Sequence, residues 1–519
     1  MNDLDNILTH SNVSDLLKTT ANKLMNREAI FDEERRMSYQ ELDREVTKLA
    51  QGLIKTGVNS GDRVAVAVIN SVEYVVTFFA IARIGAVIVP LNPSFSKTES
   101  SYILQQTNAK VLFCSEESYY SELRQEIDSL EILISVGFQV DNYLCYDDLL
   151  VGNGLEDIHV EPIDQLFTIM FTSGTTGRPK GAMLTHSNVL FSASSASKIM
   201  ECTQEDVFLI PNPLFHIMGV TFLLRAIYCG GRLVVMRKYS VNNALKLIES
   251  EKVTVHPGVP TMFILELNSS EFDQYDLSSL RTGEMAAAPC PVEVVKRIRS
   301  EMNCNILIAY GSTETSATLT LTGFDADDQL RAETIGRPLP GVEIKVVDEN
   351  RQECGVGEVG ELACRGPGVT KGYYNSPIET AQAIDQAGWF YTGDMVTVDE
   401  EGYVRIVGRK KEMIIRGGYN IYPRELEETL HQHPAISEAA VIGLPDKLFG
   451  EMTCACIVLR EGKVVTEEEL LIYMKEHFVK YKIPDKILFL DSLPVTASGK
   501  ISKIKLKEEL KKANSSYTS

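Results

Sequence analysis

Apolar positions fall at two spacings along the chain, and the places where the spacing changes predict the elements. Residues 13–23 and 38–56 carry apolar side chains three and four apart, the mark of helices with one buried face. Residues 63–69 and 86–90 are short apolar runs enclosing a further helical pattern at 72–84. Strand, helix and strand in that order predict a parallel sheet with helices on its faces. The theme repeats with strands at 109–114 and 132–136 around a helix at 118–130, and again at the apolar run 166–170. Next, His186-Ser187-Asn188 is expected to cap a helix reaching about Met200, with a strand at 206–209. Further units are expected at 232–236, 240–251, 254–257 and 278–282, then a helix at 292–302 and a strand at 305–309. Past Gly336 the texture changes to short alternating runs at 342–347, 358–365 and 402–407, punctuated by Gly and Pro, which predict a β-rich subdomain. The last hundred residues predict a small α+β domain: helix 423–431, strands 436–443 and 453–459, helix 466–478 and strand 486–490. Residues 500–512 hold six lysines among apolar residues and read as a solvated helical tail. The expected class is α/β, with a large domain over 1–408, its β-rich subdomain at 337–408, and a small C-terminal α+β domain over 409–519.

Bulk composition narrows the partners. With 519 residues, 44% of them hydrophobic and 24% charged, the chain has material for more than one large core. The net charge of −20 argues against nucleic acid or an anionic membrane as a partner, so an anionic substrate needs a local cationic pocket. Ten cysteines are scattered without a CxxC pair, and Cys454-Ala455-Cys456 alternates like a strand; free thiols in a reducing cytoplasm are expected, and no zinc site. Met1-Asn2-Asp3-Leu4-Asp5 has neither a basic nor an apolar leader segment. The apolar region 64–91 is interrupted by Asn70, Glu73 and Arg83, so no transmembrane segment is expected there.

One stretch carries chemistry on its face. Met170-Phe171-Thr172-Ser173-Gly174-Thr175-Thr176-Gly177-Arg178-Pro179-Lys180-Gly181 packs four hydroxyls, three glycines and two cations into a loop after an apolar run. Glycines let backbone N–H groups converge, hydroxyls donate hydrogen bonds and the cations supply charge, which together suit phosphate. It is not a Walker A loop, because counting from Gly174 puts Pro179 where the second glycine belongs. A second glycine pattern, Gly355-Val356-Gly357-Glu358-Val359-Gly360, matches a dinucleotide fingerprint formally, but a strand-like run follows where a helix must open, so a turn is expected.

Several stretches together resemble the acyl-adenylate-forming superfamily of acyl-CoA synthetases, stand-alone adenylation domains and luciferases, from about residue 38 to 500. The glycine-rich loop is similar to its phosphate loop, Tyr310-Gly311-Ser312-Thr313-Glu314 to its Y-G-x-T-E motif, and Tyr391-Thr392-Gly393-Asp394 to its T-G-D motif. Gly408-Arg409-Lys410-Lys411 is similar to its hinge, and Pro494-Val495-Thr496-Ala497-Ser498-Gly499-Lys500 to its C-terminal lysine loop. The resemblance implies two half-reactions: a carboxylate attacks the α-phosphate of ATP, giving acyl-AMP and pyrophosphate, and a thiol then displaces AMP. It implies that Thr172, Ser173, Gly174, Thr175, Thr176, Gly177 and Lys180 hold the phosphates, that Glu314 with Thr172 positions Mg²⁺, and that Thr313 contacts the α-phosphate, with Tyr310 also in the nucleotide site. Asp394 and Arg409 are implied for the ribose, Lys500 for the reacting carboxylate and bridging oxygen, and His216 for the acyl carboxylate. By the same resemblance the small C-terminal domain is a mobile lid that swings about Lys411 and brings Gly417-Gly418 in to admit a pantetheine arm.

Arg281-Thr282-Gly283-Glu284-Met285-Ala286-Ala287-Ala288 resembles the acyl-pocket segment of medium- and long-chain fatty acyl-CoA synthetases. Small Ala286 to Ala288, with Phe215, Met218, Val220 and Phe222, would form an apolar slot, each buried CH₂ contributing about 0.8 kcal/mol. Glu284 departs from the apolar residue usual there, and a plain fatty acid fits less well if it faces the slot. Gly417-Gly418-Tyr419-Asn420-Ile421-Tyr422-Pro423 resembles CoA ligases, so coenzyme A is the expected thiol. Two other readings stand beside an acid–CoA ligase: a stand-alone enzyme loading a carrier-protein pantetheine, and a non-catalytic nucleotide-binding relative. Oligomeric state is left open, a homodimer among the assemblies allowed.

Overall fold

The computed structural model describes residues 12–116, 119–153, 164–172, 179–288, 290–417, 419–446, 448–495 and 501–515. The described chain forms two compact units: one comprises the residues up to Ile344 together with Cys364–Phe390, the other Lys345–Ala363 and the residues from Tyr391 on.

The first unit is built on βαβ crossovers. Its seven-stranded sheet runs in the order Leu144–Cys145, Ile132–Ser135, Val111–Cys114, Arg63–Ala67, Val87–Pro90, Leu166–Thr172, Lys180–Thr185. Every neighbouring pair is parallel except the last, an antiparallel hairpin. The apolar stretch 64–91 folds as strand, helix and strand: all but Glu73 of the helix Val72–Arg83 is buried, because a helix that is apolar nearly all round can only lie inside. No helix among the described residues is long and apolar enough to cross a membrane.

A second sheet, Val207–Ile210, Arg232–Val235, Glu28–Phe31 and Arg36–Ser38, is linked through the single residue Val255 to a third, Thr282–Met285, Asn305–Tyr310, Thr320–Leu321 and Arg337–Pro338. The expected strand at 254–257 is reduced to that bridge, as Pro257 has no N–H to donate to a ladder. The strand expected at 278–282 begins later, at Thr282, since Ser278 is held in a turn by its N–H donating to Asp276. The helix cap expected at 186–188 is Thr185: its Oγ1 accepts from the Asn188 N–H at 3.2 Å while Asn188 Oδ1 accepts from the Thr185 N–H at 2.9 Å. Helices at Lys97–Thr107, Ile217–Cys229 and Pro260–Leu267 were not expected from the spacing.

In the second unit, strands at Glu343–Val347, Gly360–Arg365, Phe390–Val398 and Val404–Arg409 form the β-rich sheet. The formal dinucleotide match is a turn: Gly357 takes a left-handed φ of 78° and Gly360 opens a strand. The C-terminal sheet orders Tyr419–Ile421, Ile414–Arg416, Gly450–Leu459 and Ile436–Asp446, with Lys486–Phe489 parallel to Gly450–Leu459. Cys454 and Cys456 alternate into its core, and all ten cysteines are free. The basic tail is a helix, Lys503–Ser515, and its expected solvation is corrected at its start. Leu506 is buried, and the Lys503 ammonium pairs with Glu412 at 2.7 Å and Glu427 at 2.8 Å. Burial opposes that charge, yet the two carboxylates outweigh it and raise the lysine's pKa.

Candidate active site

The residues flanking the expected phosphate loop form the hairpin that ends the seven-stranded sheet. Its register pairs Thr172 with Lys180 and Phe171 with Gly181. A side chain at Gly181 would meet Ile169 at 2.6 Å, so the glycine leaves room for the Ile169 side chain on the paired strand. Ser173, Gly174, Thr175, Thr176 and Gly177 lie outside the described residues, as do Gly418 and Lys500.

The segment 370–374 runs along the outer strand of this hairpin. Lys371 N–H donates to the Met183 carbonyl, Met183 N–H to the Gly372 carbonyl and Tyr374 N–H to the Gly181 carbonyl. That pairing fixes Tyr373, whose ring lies 5.2 Å from Lys180 Nζ and whose hydroxyl donates to Glu314 Oε1 at 2.9 Å. Burial, followed by the Glu314 charge, pushes the phenol's pKa up, so it is a neutral donor at physiological pH.

Glu314 itself is half-buried on a single turn, Thr313–Thr315, that follows the strand Asn305–Tyr310. Gly311 is required because a side chain there would collide with the Ala317 carbonyl; Ser316 and Ala317 follow in left-handed conformation and reverse the chain. The Thr370 N–H donates to the Glu314 carbonyl at 2.7 Å, which ties the turn to the Tyr373 segment. Tyr310 and Thr313 are both half-buried beside it.

His216 precedes the helix Ile217–Cys229 as its N-cap residue and is exposed, its ring 4.9 Å from Phe215. Gly219 in the first turn admits the Pro213 carbonyl, which a side chain would block. Of the expected slot residues, Phe215, Met218 and Ala286 are half-buried, whereas Val220 and Phe222 are buried in the main core. Glu284 is 2% exposed and pairs with the fully buried Arg225: Arg225 Nη1 lies 2.6 Å from Glu284 Oε2. Sequence reasoning passed over Arg225, although a lone cation in an otherwise apolar helix signals a buried partner. Tyr373 was also missed, and no spacing rule links it to Glu314, 59 residues earlier.

In the second unit, Asp394 and Arg409 face each other on paired strands, with Arg409 Nε 2.7 Å from Asp394 Oδ1. The T-G-D sequence has a structural reason here. Gly393 takes a left-handed φ of 74°, its N–H donates to Glu361 Oε1, and Thr392 Oγ1 accepts from the Asp394 N–H at 3.1 Å and donates to the Leu362 carbonyl at 2.9 Å. Lys410 N–H donates to the Gly393 carbonyl while its ammonium meets Glu361 at 2.7 Å, fixing the strand that carries Arg409. Arg409 is 55% exposed at its side chain, so this pair holds orientation more than it adds stability. Gly417 also has positive φ, 58°, and its N–H donates to the Phe449 carbonyl at 2.8 Å. On either side of residues 496–500, Val495 bridges Ile501 and the Ser502 N–H donates to the Pro494 carbonyl.

No group of three or more His, Cys, Asp or Glu suited to a metal is found among the described residues. Mg²⁺ does not require one: it keeps several waters and takes one or two carboxylates plus substrate phosphates. A half-buried Glu314, oriented by Tyr373 and tied by its backbone to the segment that passes Lys180, fits that donor set.

The first unit thus brings the hairpin Leu166–Thr172/Lys180–Thr185 beside the Glu314 turn, and the second unit by itself pairs Asp394 with Arg409. The chain belongs to the AMP-binding enzyme family, matching it over residues 17–374, with the AMP-binding enzyme C-terminal domain over 425–500. It is 40% identical to the putative acyl-CoA synthetase YngI of Bacillus subtilis over 97% of both chains. It is 34% identical to the human mitochondrial medium-chain acyl-CoA ligase ACSF2, over 97% of this chain and 88% of that one. Among solved structures it resembles the o-succinylbenzoate CoA synthetase MenE from Bacillus subtilis in complex with its acyl-adenylate intermediate. The TM-score is 0.84 at 31% identity, covering 97% of this chain and 98% of that one.

Proposed function

We propose that the protein is an ATP-dependent acid–CoA ligase that makes an acyl-CoA from a fatty-type carboxylic acid through an acyl-AMP intermediate. The observation that carries this reading is the Lys180–Tyr373–Glu314 arrangement, in which one tyrosine joins the phosphate-loop cation to the carboxylate of the Y-G-S-T-E turn. The first half-reaction brings a carboxylate onto a polyanion, so its barrier is lowered by positive charge and donors fixed where negative charge gathers. Thr172, Ser173, Gly174, Thr175, Thr176, Gly177 and Lys180 hold the β- and γ-phosphates, and Thr313 donates to the α-phosphate. Glu314 and Thr172 would hold Mg²⁺, which when bound would supply positive charge to the phosphates.

The acid's carboxylate oxygen attacks the α-phosphorus, the bond to the bridging oxygen breaks, and Lys500 stabilises both the entering and leaving oxygens. His216 stands by the acyl carboxylate. Asp394 accepts from the ribose hydroxyls, and Arg409, already on that carboxylate, keeps it aimed. In the second half-reaction a thiolate attacks the acyl carbonyl carbon and AMP leaves with the electron pair. Gly417 and Gly418 allow a pantetheine arm near the backbone, and the residues from 409 on form the small domain, with its hinge at 408–411. Ten free thiols support a cytoplasmic setting.

A panel of acids assayed for ATP-dependent pyrophosphate release, with coenzyme A or a holo-carrier protein as thiol, tests the reading. Release with CoA-dependent thioester formation is expected. Thioester on the carrier alone would replace coenzyme A, and absence of pyrophosphate release with every acid would refute catalysis. Lys500→Ala should abolish acyl-AMP formation yet spare thioester formation from supplied acyl-AMP.

A further inference from the structure

Three buried polar side chains converge from segments that carry site candidates, two of them acyl-side. Arg225 lies in the helix that begins after His216, Glu284 in the strand that leads to Ala286, and Thr318 four residues after Glu314. Arg225 Nη1 donates to Glu284 Oε2 at 2.6 Å, and Nη2 donates to Thr318 Oγ1 at 2.8 Å. Thr318 Oγ1 lies 3.4 Å from Glu284 Oε1, and the guanidinium sits over the Phe222 ring, 4.3 Å from its centroid. All three side chains are buried to within 2% of complete.

Stability alone does not call for this cluster, because replacing a buried ion pair by apolar residues of similar volume is usually neutral or stabilising. The cluster also has a surplus donor: Arg225 Nε is buried without a hydrogen-bond partner. Its surroundings point to what could use that donor. Met218 lies seven residues before Arg225, two turns back on the same helix face, and Ala286 lies two residues beyond Glu284 on the same strand direction. Both, with Ala317 next to Thr318, are half-buried apolar residues packed against the main core. Seven residues of helix span roughly 10 Å, so half-buried apolar side chains flank the buried polar cluster along the same segments.

We propose that Arg225, held by Glu284 and Thr318, is a specificity determinant that reads an oxygen acceptor on the acyl chain, so that the preferred substrates are oxo- or hydroxy-substituted carboxylic acids, not plain alkyl ones. The inference rests on the acid–CoA ligase reading. The charge of Arg225 is already matched by Glu284, so a neutral ketone or hydroxyl oxygen suits Nε better than a second carboxylate.

The test compares kcat/KM for pyrophosphate release with acids of matched length, plain or bearing one ketone or hydroxyl about halfway to the far end. The enzymes are the wild type, Arg225→Lys, and the double variant Arg225→Leu with Glu284→Leu, each checked by thermal melting. The wild type should favour the oxygenated acid by about a hundredfold, since a site with a buried donor rejects an analogue that leaves it unpaired. Arg225→Lys, which keeps the charge but lacks Nε, should lower that preference at least tenfold while the plain acid is processed as before. The double variant should prefer the plain acid. Equal use of both acids by the wild type, or a preference unchanged in Arg225→Lys, would overturn the proposal, as would variants that lose both acids in proportion, the result of a purely structural role. Absence of release with any acid would instead bring down the ligase reading, and this inference with it.

Discussion

Replacing Tyr373 by phenylalanine removes one oxygen and leaves the ring. The hydroxyl donates to an ionised carboxylate at 2.9 Å, a class of hydrogen bond contributing about 1.5–3 kcal/mol. Glu314 is half-buried, so water can take the place of the lost donor and the lower end applies. A loss of about 1.5 kcal/mol corresponds to about tenfold. The Phe ring still faces the Lys180 ammonium, 5.2 Å from the centroid, so the cation–π contact of about 0.5–1 kcal/mol survives. Tyr373→Phe should therefore reduce kcat/KM for ATP in acyl-AMP formation about tenfold and raise the Mg²⁺ concentration needed for half-maximal rate. The KM for the acid and the rate of thioester formation from supplied acyl-AMP should not change. Tyr373→Leu, which loses the ring as well, should cost a further twofold to fivefold. Pyrophosphate-release kinetics across a Mg²⁺ titration, beside single-turnover thioester formation, separate the steps. A phenylalanine variant within twofold of wild type for ATP and Mg²⁺, or one equally impaired in both half-reactions, would refute the role of Tyr373 in holding Glu314.

Stability of the first unit should fall below neutral pH because of His186. Burial pulls its pKa from 6.5 to about 3; Nδ1 accepts from the Val13 N–H, and the ring packs on Phe167 at 4.7 Å. The unfolded chain binds the proton first as pH drops through 6.5, so stability present above that pH is lost toward 3, at about 1.4 kcal/mol per unit, or about 2 kcal/mol by pH 5. Urea midpoints from pH 7 to 5 should fall for the wild type and flatten in His186→Phe. An identical slope in the two would exclude His186, and the comparison is needed because burial also lowers His431, in the other unit. Lys411→Pro should spare acyl-AMP formation and slow thioester formation by restricting the hinge; a normal second step would place the pivot elsewhere.

Much of this protein was legible one residue at a time. The crossover pattern up to residue 136, the strand-helix order of the C-terminal residues and the turn at Gly355–Gly360 follow from local spacing, because each element buries its own periodic face whatever its neighbours are. The stretch 172–181 and the residues Glu314, Asp394 and Arg409 could be singled out as candidates in the same way, since the motifs that carry the resemblance are short and contiguous. Elements without a clean period, such as Lys97–Thr107 and the nearly all-apolar Ile217–Cys229, were not separable from their surroundings.

What only the tertiary structure decided is which distant side chains share a partner. Tyr373 reaches Glu314 because residues 370–374 lie along the phosphate-loop hairpin, a backbone pairing that no local pattern encodes. Glu284, ambiguous as a letter in an alanine-rich segment, acquired a meaning when its strand was placed against the helix carrying Arg225. A carboxylate's role depends on the charge and burial around it, and both are set by long-range packing. Local sequence thus determined the family, and packing decided which charged groups meet, as Arg225 meets Glu284 and Tyr373 meets Glu314.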